Sequence, residues 1–144
     1  MEKELFKEAE YILYNYKFIN PKLDIIELKI NNLKNTVDLS AIDYSKDKTS
    51  STNAFNSSVE NEVIKREKQL SILQEEKQQL IYQQQLVDKV LKLLDDEEKK
   101  VVELRYFSNP KRTWTSIQNE LNLSPDTAIR RRREIINKIA RYLT

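Results

Sequence analysis

No cysteine, no histidine and no glycine occur anywhere in these 144 residues. Without cysteine there are no disulfides, no thiolate nucleophile and no cysteine-built zinc site, and without histidine the commonest metal ligand and the usual general base are missing. The absence of glycine removes the loops that cradle phosphates in P-loops and dinucleotide folds. Most enzyme templates are thereby excluded, and neither an enzyme nor a cofactor or metal site is expected. Carboxylates remain at Asp95, Asp96, Glu97 and Glu98, but acids in the first turn of a helix stabilise its positive end, which accounts for them without catalysis. No apolar run approaches the roughly 20 residues of a membrane span. Met1-Glu2-Lys3-Glu4 does not start a signal peptide, so no membrane partner is expected and the cytoplasm is the default location.

What is present is charge and helical periodicity. One third of the residues are charged, for a formal net charge of only +2, and the apolar residues recur at three- and four-residue spacing. The expected fold is all-α. Leu5, Ala9, Ile12 and Tyr16 mark one stripe, Leu23, Ile26, Ile30, Leu33 and Val37 mark a second, and Asn20-Pro21 separates them, so residues 1–35 read as an N-terminal helical hairpin. Residues 36–56, rich in Ser, Thr, Asn and Asp, read as a polar linker. A long coiled-coil-like helix is expected over 57–93, opened by a capping box of Ser57 with Glu60. Its seam from Val63 runs through Arg66, Leu70, Leu73, Lys77, Leu80, Gln84, Val87, Leu91 and Leu94, and three polar positions interrupt it. Those interruptions weaken an autonomous parallel dimer and leave room for the N-terminal helices to pack alongside, with a homodimer through the same helices as the alternative.

Residues 94–144 carry the most specific signal, three helices over Leu94 to Phe107, Thr113 to Asn122 and Ser124 to Leu143. In Leu121-Asn122-Leu123-Ser124-Pro125-Asp126 the Ser124 hydroxyl is placed to cap the next turn. Pro125 falls at the first helical position, where its missing N–H costs nothing, and Asp126 complements the helix dipole. Asn122 stands where the chain must turn sharply; after glycine, asparagine best tolerates the left-handed conformation. Thr113 can cap the preceding helix, and Asn109-Pro110 breaks the chain before it. A tight turn between two short helices, with a third helix before them, is the anatomy of a helix-turn-helix DNA reader.

The last helix carries Arg130-Arg131-Arg132-Arg133. Successive residues rotate by about 100°, so four consecutive arginines cannot share one role. Ala128, Ile129, Ile135, Ile136, Ile139, Ala140 and Leu143 define the expected buried stripe, and Arg132 lies on it, its stem covering the core edge. Opposite lie Thr127, Arg130, Arg131 and Glu134. Arginine can grip guanine O6 and N7 and threonine can touch a thymine methyl, so Thr127, Arg130 and Arg131 are the candidate base readers. Arg133 suits a phosphate, as do Lys111, Arg112, Thr113 and Thr115 around the start of the preceding helix and Ser124 at the start of the last. From Leu94 onward eleven Lys and Arg stand against eight Asp and Glu, with the acids gathered at 95–98 and the arginines at the predicted groove.

These residues resemble a known module. The segment from Asp96 to Tyr106, then Thr113-Trp114-Thr115-Ser116-Ile117-Gln118-Asn119-Glu120-Leu121-Asn122-Leu123-Ser124, then the arginine helix, looks like region 4 of sigma-70-type factors, which reads the −35 promoter element. The whole chain is similar to the ArpU/RinA-type phage and prophage transcriptional regulators, through Leu13-Tyr14-Asn15-Tyr16, Ser57-Ser58-Val59-Glu60-Asn61-Glu62-Val63 and the terminal reader. Nothing here resembles the sigma region that melts the −10 element, which argues against a self-sufficient sigma factor. The resemblance implies a regulator, an activator of phage or prophage genes, that binds promoter or operator double-stranded DNA, with RNA polymerase as a further partner. Two other classes fit the residues: a phage DNA-packaging recognition subunit of the small terminase kind, and a coiled-coil adaptor whose arginine helix docks an acidic protein.

Overall fold

The computed structural model describes residues 2–46 and 53–144. The described residues are helical throughout, without a strand: α1 (Glu2–Tyr16), α2 (Ile19–Lys46), α3 (Asn53–Val90), a 3₁₀ turn (Leu91–Leu93), α4 (Asp96–Val102) continued by a π-helical turn (Glu103–Phe107), α5 (Trp114–Leu121) and α6 (Pro125–Leu143). No helix among the described residues is long and apolar enough to cross a membrane. The chain divides into two compact units, one made of Met1–Ile19 with Tyr82–Thr144, the other of Asn20–Ile81.

In the first unit, local chemistry sets the helix ends. Asp95 caps α4 by accepting from the Glu98 backbone N–H at 2.8 Å, while the Glu98 carboxylate accepts from the Asp95 N–H at 3.0 Å. The backbone hydrogen bond from Glu98, helped by nearby Lys138 and Arg131, holds the Asp95 carboxyl below its ordinary range. The π turn takes up the end of what the sequence pattern predicts as one helix from Leu94 to Phe107, and the chain then breaks at the cis Asn109–Pro110 bond. Ala9 and Leu13 of α1, Val87 and Val90 of α3, Val101 and Val102 of α4, Tyr106 and the α6 residues Ile135, Ile136, Ile139 and Leu143 form one continuous core.

α1 packs most extensively against α6 and groups with residues 82–144, while α2 groups with the first part of α3; the sequence pattern instead places residues 1–35 together and 94–144 by themselves. The break between α1 and α2 also falls at Lys17–Phe18 rather than at Asn20-Pro21. Pro21 sits within the first turn of α2, where a missing N–H removes no helical hydrogen bond.

The second unit is an antiparallel pairing of α2 with α3. Lys77 Nζ lies 3.4 Å from a Glu27 carboxylate oxygen, and Arg66 Nη1 donates to the Thr36 carbonyl at 3.5 Å, so higher numbers on one helix face lower numbers on the other. The predicted seam from Val63 to Leu80 is the set of half-buried positions on α3, and Leu23, Ile26, Ile30 and Leu33 are their counterparts on α2. Arg66 and Lys77, which interrupt the seam, are thus satisfied by groups of α2, their stems lying along the apolar stripe.

Two expected boundaries move. Residues 36–46 continue α2 instead of forming a linker, and α3 begins at Asn53, so Ser57 lies inside the helix and does not start it. The Ser, Thr, Asn and Asp content that suggests a loop lowers helix propensity only modestly, so it is also compatible with a helix. The remainder of the expected linker, residues 47–52, and the side chain of Val37 lie outside the described residues.

Candidate nucleic-acid interface

The turn between α5 and α6 has the geometry that its sequence dictates. Thr113 caps α5, its hydroxyl accepting from the Ser116 N–H at 3.2 Å. Asn122 ends α5 at φ 55° and ψ 45°, the single non-glycine residue at positive φ among the described residues, and the Leu123 N–H returns to the Gln118 carbonyl at 2.9 Å. This is a left-handed helix stop built without glycine. Ser124 then caps α6: its hydroxyl accepts from the Thr127 N–H at 3.2 Å and donates to the Thr127 hydroxyl at 2.7 Å. Two residues, Asn122 and Leu123, separate the last α5 residue from the Ser124 cap, so the helix axes change direction within one short turn.

On α6 the four arginines do four different things, as their rotation requires. Arg130 is exposed on the face away from the core, its guanidinium 3.9 Å from Glu134 one turn on. Arg131 is half-buried and paired with Glu97 at the start of α4, at 3.1 Å. Arg132 turns inward: its Nε donates to Glu10 of α1 at 2.9 Å and a second guanidinium nitrogen shares the same oxygen. Arg133 is exposed and makes no ion pair among the described residues. Thr127 is half-buried beside the cap. Of the candidate base readers, Thr127 and Arg130 therefore stand together on the open face, while Arg131 is held at its edge by an acid.

The expected phosphate contacts are also divided. Lys111 is exposed, its ammonium 4.9 Å from the centre of the Tyr14 ring. Arg112 is bound through its guanidinium to Glu120, and its carbonyl accepts from Arg105 at 2.8 Å. Thr113 and Ser124 are spent on capping, although a capping residue at a helix N-terminus still presents the free N–H groups of the first turn. Thr115 is exposed.

The stripe that supports this face differs from the predicted one at a single position. Ala128, Ile135, Ile136, Ile139, Ala140 and Leu143 are buried, but Ile129 is 58% exposed. Its position, one residue past Ala128 in the first turns of α6, lies beside α1 rather than beneath it.

Sequence reasoning missed the residues that hold α6 in place. Glu10, 7% exposed, is the acid that receives Arg132. Burial alone would favour losing the Arg132 proton, but the hydrogen bond and charge of Glu10 outweigh it and raise the guanidinium above its ordinary value. The Arg132 guanidinium also lies 5.4 Å from the Phe6 ring centre and 5.9 Å from that of Trp114, and Arg105 sits 5.2 Å from the centre of the same Trp114 ring while donating to the Tyr14 hydroxyl at 3.0 Å. Lys138 reaches buried Glu98 at 3.1 Å. Below them the Tyr106 hydroxyl is buried, without a partner in hydrogen-bonding geometry among the described residues, and burial, reinforced by the Glu10 charge, raises its pKa, although the neighbouring Arg132 guanidinium partly counteracts this. For the pairings made by α1 the only signals were its unspent acid and aromatics, which lie 91 residues from their partner at Tyr14 and 122 at Glu10.

No curated protein and no solved structure matches the chain. Residues 7–141 match the family described as "Protein of unknown function (DUF722)", and the chain belongs to that family.

Proposed function

For this member of the DUF722 family, we propose that the function is sequence-specific binding of double-stranded DNA by a transcriptional regulator, with the first half of α6 inserted in the major groove. The observation that carries the reading is the left-handed stop at Asn122 between two capped helices, with Thr127 and Arg130 together on the open face of the second. Arg130 is a bidentate guanine reader and Thr127 a methyl contact, pairs each worth about 1–3 kcal/mol of discrimination. Arg133, Lys111 and Thr115, together with the N–H groups at the Ser124 cap, neutralise or bind phosphate and set the register. Arg131 joins them on release from Glu97, so it contributes less than Arg130.

A regulator, rather than another kind of DNA binder, is supported by the likeness to sigma-70 region 4 and to phage regulators of the ArpU/RinA type; promoter DNA, with RNA polymerase as a second partner, is the target in that reading. The site is a cytoplasmic one, on DNA. Two copies joined through α2 and α3 would read half-sites about 34 Å apart or a multiple of it, whereas one copy reads a single site.

The test is selection from a random duplex pool with the full-length protein, repeated with Arg130→Ala at the same salt. A defined motif that the variant loses at one or two base pairs supports reading by α6, and the motif's symmetry reports the number of copies. Absence of any enriched motif at near-physiological salt, with both proteins folded, rejects it.

A further inference from the structure

A second surface lies on the same unit, on the flank of α6 away from α4. α1 and α6 enclose an open groove of about 760 Å³. Its floor is apolar and partly exposed: Phe6, Tyr11 (69% exposed) and Ile129. Exposed aromatic and branched side chains in one groove are the signature of a contact rather than of a solvated face.

The charge of the rim indicates what fits. Lys3, Lys7 and Arg133 line the groove, are exposed, and make no ion pair among the described residues. Of the two acids at its edge, Glu10 is consumed by Arg132, which leaves Glu2 alone. The acids Glu4 and Glu8 of α1 do not line it, although they alternate with the lysines in sequence. α1 therefore turns its lysines into the groove together with its aromatics, and its other acids elsewhere. An apolar floor under a cationic rim is complementary to a chain that carries both carboxylates and a bulky apolar side chain. A nucleic-acid backbone would use the rim but leave the floor unoccupied.

We propose that the α1–α6 groove docks an acidic segment of another protein, an apolar side chain seated among Phe6, Tyr11 and Ile129 and carboxylates bound by Lys3, Lys7 and Arg133. The groove shares Arg133 with the proposed phosphate contacts but not the base-reading pair, since Thr127 and Arg130 do not line it.

A displayed library of random twelve-residue peptides, panned against the full-length protein, tests this. The expected result is enrichment of peptides pairing Asp or Glu with Trp, Phe or Leu. Two variants then locate the site: Lys3→Glu/Lys7→Glu, reversing two exposed rim charges, and Tyr11→Ala, removing an exposed ring from the floor. Each is expected to weaken a synthetic copy of the enriched peptide by roughly tenfold or more, the charge reversal through like-charge repulsion, with the helical circular dichroism spectrum and melting temperature unchanged. Tyr11→Ala is expected to leave affinity for a 30-base-pair random-sequence duplex within about twofold, while Lys3→Glu/Lys7→Glu, which lowers the net charge by four, weakens it modestly through long-range charge and less than it weakens the peptide. Enrichment without acidic residues, or an enriched peptide indifferent to both variants, overturns the proposal. So does a loss of duplex affinity in Lys3→Glu/Lys7→Glu with no loss of peptide binding, which would assign the rim to nucleic acid.

Discussion

The two units spend the same helical alphabet differently. In the unit of Met1–Ile19 and Tyr82–Thr144, side chains from α1, α3, α4, the π turn and α6 surround one another, and Leu13, Val87, Val102, Tyr106, Ile135, Ile136 and Ile139 have essentially no exposed surface. In the unit of Asn20–Ile81 only Ile26 and Ile30 are buried among the described residues, because two paired helices cover each other along one stripe and leave every other face wet. Ile25, Leu28, Ile64 and Ile72 are accordingly more than half exposed. A helix held on several sides keeps its side chains in register, whereas a pair held along one seam frays at little cost.

The contrast is sharpest under core truncation. Leu13→Ala in α1 is expected to destabilise the first unit by about 2–5 kcal/mol, the range for fully buried leucines. Leu73→Ala, half-buried in the second unit, is expected to cost nearer 1 kcal/mol, since less apolar area returns to water. Trp114, the only tryptophan, sits in the first unit, so urea unfolding followed by its fluorescence should shift with Leu13→Ala and hardly move with Leu73→Ala. Equal shifts would mean that the two units unfold as one.

Next in size is the tie between α1 and α6. Glu10→Gln leaves Arg132 without its carboxylate in a largely enclosed setting. Breaking a fully buried pair costs about 3–5 kcal/mol, and because the Arg132 side chain is 42% exposed the expected loss is discounted to about 2 kcal/mol. A double-mutant cycle with Arg132→Gln isolates the coupling; a value near zero would show that α1 is held by its apolar and aromatic contacts and not by this ion pair. Smaller still is the turn. Asn122→Ala is expected to cost about 1 kcal/mol, the penalty of a Cβ in the left-handed region without asparagine's local hydrogen bonding, while Asn122→Gly should be neutral or better. A loss in both variants would indicate a role for the amide beyond its backbone conformation.

The smallest effect at neutral pH is a titration. Burial, then the hydrogen bond and negative charge of Asp88, raise the Tyr16 hydroxyl from 10.0 to about 12. A folded-state value raised above the unfolded one means that this contribution is complete below pH 10 and lost as pH climbs from 10 to 12. Tyr16→Phe is expected to flatten the alkaline arm of the stability curve; an unchanged arm would show that the hydroxyl is not protected in solution.

What could be read in the sequence follows the range of the physics. The α5–α6 turn was legible because each of its devices acts within four residues: the Thr113 and Ser124 caps, Pro125 at the first helical position and Asn122 in place of glycine. The α3 seam was legible for the same reason, helical periodicity being local, and its three- and four-residue spacing picks out the half-buried residues. The partnership of α1 with α6 was not, because Glu10 and Arg132 are 122 residues apart and nothing in either helix alone names the other. That one long-range choice has several consequences. It groups α1 with residues 82–144, gives Arg132 an acid rather than solvent, and makes the flank of α6 at Ile129 the wall of an open groove instead of part of a core. Arg131 is similar: its place on the wheel suited base reading, but only the packing of α4 reveals Glu97 beside it. The polar stretch after Thr36 misled for a different reason, since composition without Pro or Gly describes an exposed helix as well as a loop.

The most direct measurement is the salt dependence of duplex affinity for the full-length protein beside Arg130→Ala/Arg133→Ala, by fluorescence anisotropy. Binding that weakens steeply and log-linearly with salt, with a slope that falls by about one for each phosphate-contacting cation removed, is the expected result. Affinity and slope unchanged in the folded variant would contradict reading by the exposed face of α6.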